Sequence, residues 1–200
     1  MQIFCFIVAN LFYRIKVEGL SKIPKVGSVV LVCNHVTFID WLILMGTINR
    51  PIRFVIHYSF MKKPLFRFVL KKAKVIPIAG RWEDKNLLLS AFDNIKKVMD
   101  DGAVICLFPE GKITYDGELN RFRPGIEKIV SDSPAPVVPI ALKGLWGSFF
   151  SRKYGNACSN FKLFLKFKRR EVLLQINEPI LPSEANASKL EEIIRSMMTE

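Results

Sequence analysis

Two side chains capable of acid–base chemistry stand five positions apart in Cys33-Asn34-His35-Val36-Thr37-Phe38-Ile39-Asp40. An imidazole beside a carboxylate can have one ring nitrogen held while the other takes a proton. On a continuous helix a five-residue spacing would leave the pair about 140° apart, so they meet only if the chain turns between them. Two roles are open to Asp40. It can orient His35, or it can bond back to a helix N-terminus, because Thr37 and Asp40 have capping-box spacing. The roles are not exclusive. Cys33 adds an imaginable Cys–His nucleophilic pair, although a cysteine in an apolar run reads more simply as a small buried side chain. No Gly-x-Ser-x-Gly elbow supplies a serine nucleophile. Any acyl chemistry at His35 is therefore expected to be direct transfer.

A second constellation is Phe108-Pro109-Glu110-Gly111-Lys112. Gly111-Lys112 evokes a phosphate-binding loop, but Cys106 stands where that motif needs glycine, and Ile113 where it needs Ser or Thr. What remains is a carboxylate, a glycine backbone and a cation, suited to orienting a phosphate or polar headgroup, or else an ordinary turn. Arg81 follows Ile78-Ala79-Gly80, and Arg121 and Arg123 flank Phe122. Each is either a phosphate clamp or a surface arginine.

These residues need elements to position them. Apolar residues 28–33 read as a buried strand ending at Asn34-His35, with a helix over 38–46 behind it. Residues 52–56, 75–78, 103–108 and 137–142 read as further strands, with Pro77 marking an edge or strand end. Between them fall helices: one from Pro64, one capped by Asp84 and stopped at Asp101-Gly102, and a short one after Pro124-Gly125. Residues 161–176 alternate as a hairpin around Lys168-Arg169-Arg170, and 188–198 close as a helix. Strands alternating with helices, several apolar on both faces, predict an α/β fold whose mixed, largely parallel sheet is covered on both sides. No linker divides the 200 residues, which are read as one domain.

Half the residues are hydrophobic, the formal net charge is +12 and the mean hydropathy is +0.22. Such a chain has enough apolar content for a sizeable core, and its partners are expected to be anionic. High apolar content beside positive charge favours an anionic membrane surface over nucleic acid, for which no base-reading motif exists. Residues 1–15 form an apolar run shorter than the roughly 20 residues of a spanning helix. They read either as a core helix or as a helix lying in one leaflet, with Arg14 and Lys16 at the headgroups. Lys62, Lys63, Arg67, Lys71 and Lys74 make a basic face that is either solvated or rests on anionic lipid. Four scattered cysteines and two histidines offer no zinc pattern. No metal is expected, and the cysteines suit a reducing compartment.

Together the motifs carry a resemblance. Asn34-His35 with Asp40, Ile76-Pro77-Ile78-Ala79-Gly80-Arg81, Phe108-Pro109-Glu110-Gly111 and Val137-Val138-Pro139-Ile140-Ala141-Leu142 resemble the four ordered motifs of glycerophospholipid acyltransferases of the lysophosphatidic acid type. They span roughly residues 28 to 145. The run through Gly117-Glu118-Leu119 and Phe122-Arg123-Pro124-Gly125-Ile126-Glu127 resembles the acyltransferase portion of 2-acylglycerophosphoethanolamine acyltransferases and related multidomain enzymes. The resemblance implies a glycerol-3-phosphate acyltransferase-like fold with a membrane-associating helix at 1–15. It implies a lysophospholipid O-acyltransferase in which His35, oriented by Asp40, is the general base, with backbone amides near the helix start for the oxyanion. Asn34, Arg81, Glu110, Gly111, Lys112, Arg121 and Arg123 are implied to bind substrate. The donor would be an acyl thioester of coenzyme A or acyl carrier protein, with no bound cofactor or metal. The site would face the cytoplasm, on a monotopic or peripheral membrane protein. Many relatives have Thr-Arg after Glu-Gly, where this chain has Lys112-Ile113. A non-catalytic basic membrane-binding or lipid-carrier module is the alternative.

Overall fold

The computed structural model describes residues 1–62, 64–155 and 169–199, the side chains of 64–66 excepted. Its elements are α1 (Gln2–Phe12), β1 (Tyr13–Glu18), β2 (Val29–Cys33), α2 (Asp40–Thr47), β3 (Ile52–His57), α3 (Pro64–Lys72), β4 (Ile76–Ile78), α4 (Lys85–Asp100), β5 (Val104–Leu107), α5 (Gly125–Asp132), β6 (Val137–Lys143), β7 (Arg170–Ile176) and α6 (Ala187–Thr199). The seven strands form one sheet in the order β1-β7-β6-β2-β5-β3-β4. All pairs are parallel except β6 with β7. The sheet is mixed and mostly parallel, as expected, and Pro77 does lie on an edge strand, where its missing N–H costs no ladder bond.

The centre of the sheet is buried on both faces because its strands carry apolar side chains at every position. Alternate residues of β2 point into separate cores: Val29, Leu31 and Cys33 pack with α1 and α2, while Val30 and Val32 pack with α4, α5 and α6. Each fully buried side chain of the size of Leu31 or Phe54 contributes roughly 1.5–3 kcal/mol. Asp84 caps α4 by accepting the Leu87 N–H at 2.9 Å, and Gly102 closes that helix with its N–H on Met99 O at 2.8 Å.

Strand order fixes where a ligand belongs. After β2 the chain crosses toward β3, and after the adjacent β5 it crosses the other way to β6. Two neighbouring parallel strands with opposite exits leave a crevice at their carboxyl ends, the usual ligand position in open α/β sheets. His35 follows β2 and Phe108-Pro109-Glu110-Gly111 follows β5.

Three expectations need correction. The first helix stops at Phe12, and residues 13–15 belong to β1, whose alternate burial from Tyr13 to Glu18 is the period of a strand. Arg14 and Lys16 therefore sit on a strand paired to β7, where Lys16 meets Glu171 at 3.6 Å. The helix expected from Phe38 begins at Asp40, with residues 37–39 forming a turn. The first half of the expected hairpin, residues 161–168, lies outside the described residues, as do Lys63, Cys158 and the Phe66 side chain. β7 is instead flanked by β1 and β6.

α1 is seated directly on α2. Cys5 and Ala9 are its buried positions, and a Cβ on Gly46 would lie 2.7 Å from the Phe6 backbone nitrogen. Ile3, Phe4, Phe6, Ile7 and Leu11 are left exposed. None of the described helices is long and apolar enough to cross a membrane.

Candidate active site

The turn between β2 and α2 brings His35 and Asp40 together. His35 Nδ1 lies 2.9 Å from Asp40 Oδ2, with the Asp40 side chain fully buried and the His35 side chain 21% exposed. A buried carboxylate is costly unless its oxygens accept hydrogen bonds. Oδ2 accepts the Val36 N–H at 2.7 Å, both oxygens accept the Thr37 N–H at 3.0 Å, and the Thr37 hydroxyl donates to Oδ1. Dyad and backbone brace therefore coexist on one carboxylate. Asp40 being an acceptor, the proton between the two belongs on Nδ1, which leaves Nε2 of a neutral ring as an acceptor. Nε2 has no protein partner among the described residues, and His35 lines the cavity described below.

The ring is fixed from its face as well. It stacks on Phe108 at 4.2 Å between centroids, and Phe108 stacks in turn on Phe54 of β3. Its backbone is held by Glu110, whose Oε1 accepts the His35 N–H at 2.6 Å while Oε2 accepts both N–H groups of Asn120 at 2.9 and 2.7 Å. Burial pushes the Glu110 carboxyl up from its ordinary range, opposed by the Asn120 and His35 hydrogen bonds. Thr114 N–H closes the circuit on His35 O at 3.0 Å.

In front of this assembly opens a cavity of about 610 Å³. Its walls are largely apolar, including Trp41, Leu88, Phe92, Leu107, Ile126 and Ile129. Among the described residues, Arg81, Lys112, Arg123 and Arg152 bring four cations to it, against the single carboxylate of Glu83. Gly111 also lines it, with φ +66° and the Arg123 guanidinium lying where a Cβ would project, 2.8 Å from Cζ. The lining thus combines an apolar wall with an excess of positive charge.

Not every residue implied by the motifs faces this space. Asn34 is buried, with Nδ2 donating to Leu142 O at 3.1 Å and Oδ1 accepting the Leu142 N–H at 2.7 Å. Both halves of its amide are consumed in tying the end of β2 to β6. Glu110 is likewise a brace outside the cavity lining. Arg121 is exposed and acts on the charge of Glu191 in α6, so it is no part of the cavity. Three backbone amides before the helix start are occupied: His35 N–H by Glu110, and Val36 and Thr37 N–H by Asp40. Cys33 is fully buried, and desolvation pushes its thiol well up, which leaves it protonated and inert.

The family model described as Acyltransferase matches residues 14–143. The chain belongs to the acyltransferase family. All four motifs lie within the matched stretch. Relatives include a chloroplastic 1-acyl-sn-glycerol-3-phosphate acyltransferase of Arabidopsis thaliana, 27% identical over 66% of this chain and 37% of that protein. A 1-acyl-sn-glycerol-3-phosphate acyltransferase of Borreliella burgdorferi is 29% identical over 64% of this chain and 51% of that protein. This family member thus spans only about a third to a half of these relatives. In fold it is similar to the crystal structure of the 1-acyl-sn-glycerophosphate (LPA) acyltransferase PlsC from Thermotoga maritima. The TM-score is 0.77 at 20% identity, over 98% of this chain and 76% of that one. The acyltransferase resemblance carried by the four motifs is thus shown at the level of that family.

Two features of the candidate site lie outside the sequence motifs. His57, at the end of β3, places Nε2 2.7 Å from Glu83 Oε2, which also accepts the Gly80 N–H at 2.9 Å. This bridge holds the Gly80-Arg81 turn, and the His57 bond followed by the Gly80 amide draws the Glu83 carboxyl down from its ordinary range. A strand-end histidine was the available signal, but no spacing joins it to Glu83. Arg152, beyond β6 and beyond the matched stretch, had no motif to announce it.

Proposed function

We propose that this chain is a lysophospholipid O-acyltransferase that transfers a fatty acyl group from a thioester to the free hydroxyl of 1-acyl-sn-glycerol 3-phosphate. The observation that carries the reading is His35, held through Nδ1 by buried Asp40, lining a largely apolar cavity that cations also line. Nε2 takes the proton of the acceptor hydroxyl as its oxygen attacks the thioester carbonyl. The tetrahedral intermediate then expels the thiolate, which leaves with that proton from the imidazolium, so no covalent enzyme intermediate is needed. The cavity wall takes the acyl chain, and the cations attract the acceptor's phosphate. Coenzyme A and acyl carrier protein are both acceptable carriers on this chemistry. The names of the relatives direct the choice of acceptor toward the phosphomonoester.

The exposed face of α1 suggests where the acceptor comes from. Ile3, Phe4, Ile7 and Leu11 would enter one leaflet without crossing it, placing the enzyme on the cytoplasmic face of an anionic membrane. Because α1 rests on Gly46 of the helix that begins with Asp40, membrane contact and catalytic pair share one support. Flotation of the protein with phosphatidylglycerol vesicles tests this: an Ile3→Ser/Phe4→Ser/Ile7→Ser protein that floats as well as the wild type contradicts it.

Incubation with a panel of lysophospholipids and acyl thioesters, read by product mass, tests the activity. Phosphatidic acid from lysophosphatidic acid is expected. Binding to vesicles without product from any pair would favour a non-catalytic lipid-binding module.

A further inference from the structure

Arg152 belongs to no motif, yet it is among the cations that line the cavity and is half-buried there. Its guanidinium carbon lies 4.3 Å from the Tyr115 ring centroid and 5.5 Å from that of Phe38. It takes part in no ion pair among the described residues. An arginine held by cation–π contact with aromatic rings keeps its charge and its N–H donors. The two rings orient the cation without neutralising it.

Both rings are indexed to His35. Phe38 lies in the turn that joins His35 to Asp40, and Tyr115 follows Thr114, whose N–H bonds His35 O at 3.0 Å. Ile113, two residues before Tyr115, is buried and brings no charge to the cavity rim. A planar fork whose donors have no hydrogen-bond partner among the described residues, placed beside segments tied to His35, suits bidentate contact with a phosphate.

We propose that Arg152 is a phosphate-binding, specificity-determining residue of this site, gripping a phosphate group of one of the two substrates. The proposal rests on the acyltransferase reading and adds the residue that would select for phosphate. Two sources carry that chemistry: the phosphomonoester of the acceptor and the phosphates of coenzyme A.

Equilibrium binding and steady-state kinetics of the full chain and its Arg152→Ala and Arg152→Lys variants test it, each variant first matched to wild type by thermal melting. The acceptors are 1-acylglycerol 3-phosphate and 1-acylglycerophosphocholine; the donors are acyl-CoA and an acyl N-acetylcysteamine thioester, which has no phosphate. Arg152→Ala is expected to raise KM and Kd for the phosphate-bearing substrate about tenfold or more, the loss of one charge-assisted hydrogen bond, with kcat changed less than about threefold. Lysine is expected to rescue only part, lacking the planar fork. If the acceptor is gripped, the penalty is larger for the phosphomonoester than for the choline diester and the same with either donor. If coenzyme A is gripped, it disappears with the phosphate-free thioester. Unchanged KM and Kd for every substrate overturn the proposal, as does an equal fall in kcat with all pairs, which marks a positioning residue. Wild-type protein that binds lysophosphatidate or coenzyme A without turnover defeats the acyltransferase reading while leaving the Kd comparison to decide Arg152. Wild-type protein that binds neither defeats both.

Discussion

Glu110 Oε1 accepts the backbone N–H of His35 at 2.6 Å, joining the ends of two adjacent strands across 75 positions of sequence. The third motif therefore acts on the first through the main chain, setting the height of the imidazole above the sheet. Glu110→Gln keeps the shape but replaces one acceptor oxygen with a donor. That NH₂ must then face either His35 N–H or the two N–H groups of Asn120. We expect a stability loss of about 1–3 kcal/mol, the cost of leaving buried donors unpaired. The fall should be in kcat rather than in KM for the phosphate-bearing acceptor. Urea melts with steady-state kinetics read both; a KM effect alone would return Glu110 to substrate binding.

Asp40→Asn is expected to be severe for a related reason. Both carboxylate oxygens accept hydrogen bonds, from His35, Val36 and Thr37. An asparagine can satisfy only one side and presents N–H against N–H on the other. Acyl transfer should fall by at least about 10²-fold, within the range of lost general-base catalysis, and the melting temperature should fall with it. Wild-type turnover in a folded Asp40→Asn protein would leave Asp40 as a brace only.

Asn34 should separate from its neighbour His35 in behaviour. Its amide makes a two-point clamp on the Leu142 backbone, so Asn34→Ala leaves a buried donor and acceptor open at about 1–3 kcal/mol. KM for either substrate should be unchanged in the protein that remains folded at low temperature. A raised KM without a stability change would instead mark Asn34 as a substrate ligand.

The Glu83 carboxyl gives the acid limb of stability a defined sign. Its folded pKa is lowered, first by the His57 hydrogen bond and then by the Gly80 amide. Its contribution is thus fully present above the ordinary glutamate value of about 4.3. It is lost as pH falls through the lower folded value. Glu83→Gln should lower the melting temperature slightly near neutrality and flatten its fall below about pH 5, so that the two profiles converge in acid. An acid limb identical to that of wild type contradicts the bridge.

What could be read from sequence was what has local causes. Continuous apolar runs gave β2, β5 and β6, the spacing of Leu190, Ile194 and Met197 gave α6, and Asp84 gave the start of α4. β1 was hidden because Tyr13-Arg14-Ile15 continues the hydrophobic run of α1, and its strand character depends on pairing with β7, over 150 residues away. At the site, the His35–Asp40 approach was legible from a turn between strand and helix. Asn34 and Glu110 were read as ligands because their partners, Leu142 and the His35 backbone, are set by strand order. Strand order leaves no local trace in sequence. Arg152 is the extreme case: its two rings come from segments 37 and 114 positions away.

On the proposed mechanism His35 removes the proton from a lysophospholipid hydroxyl. Its most direct test is the initial rate of phosphatidic acid formation from lysophosphatidic acid and an acyl thioester, wild type against a His35→Ala protein with unaltered circular dichroism. Product from the wild type is expected, with a rate lower by about 10²–10⁴-fold in the variant. A folded His35→Ala protein that forms phosphatidic acid at the wild-type rate would contradict it.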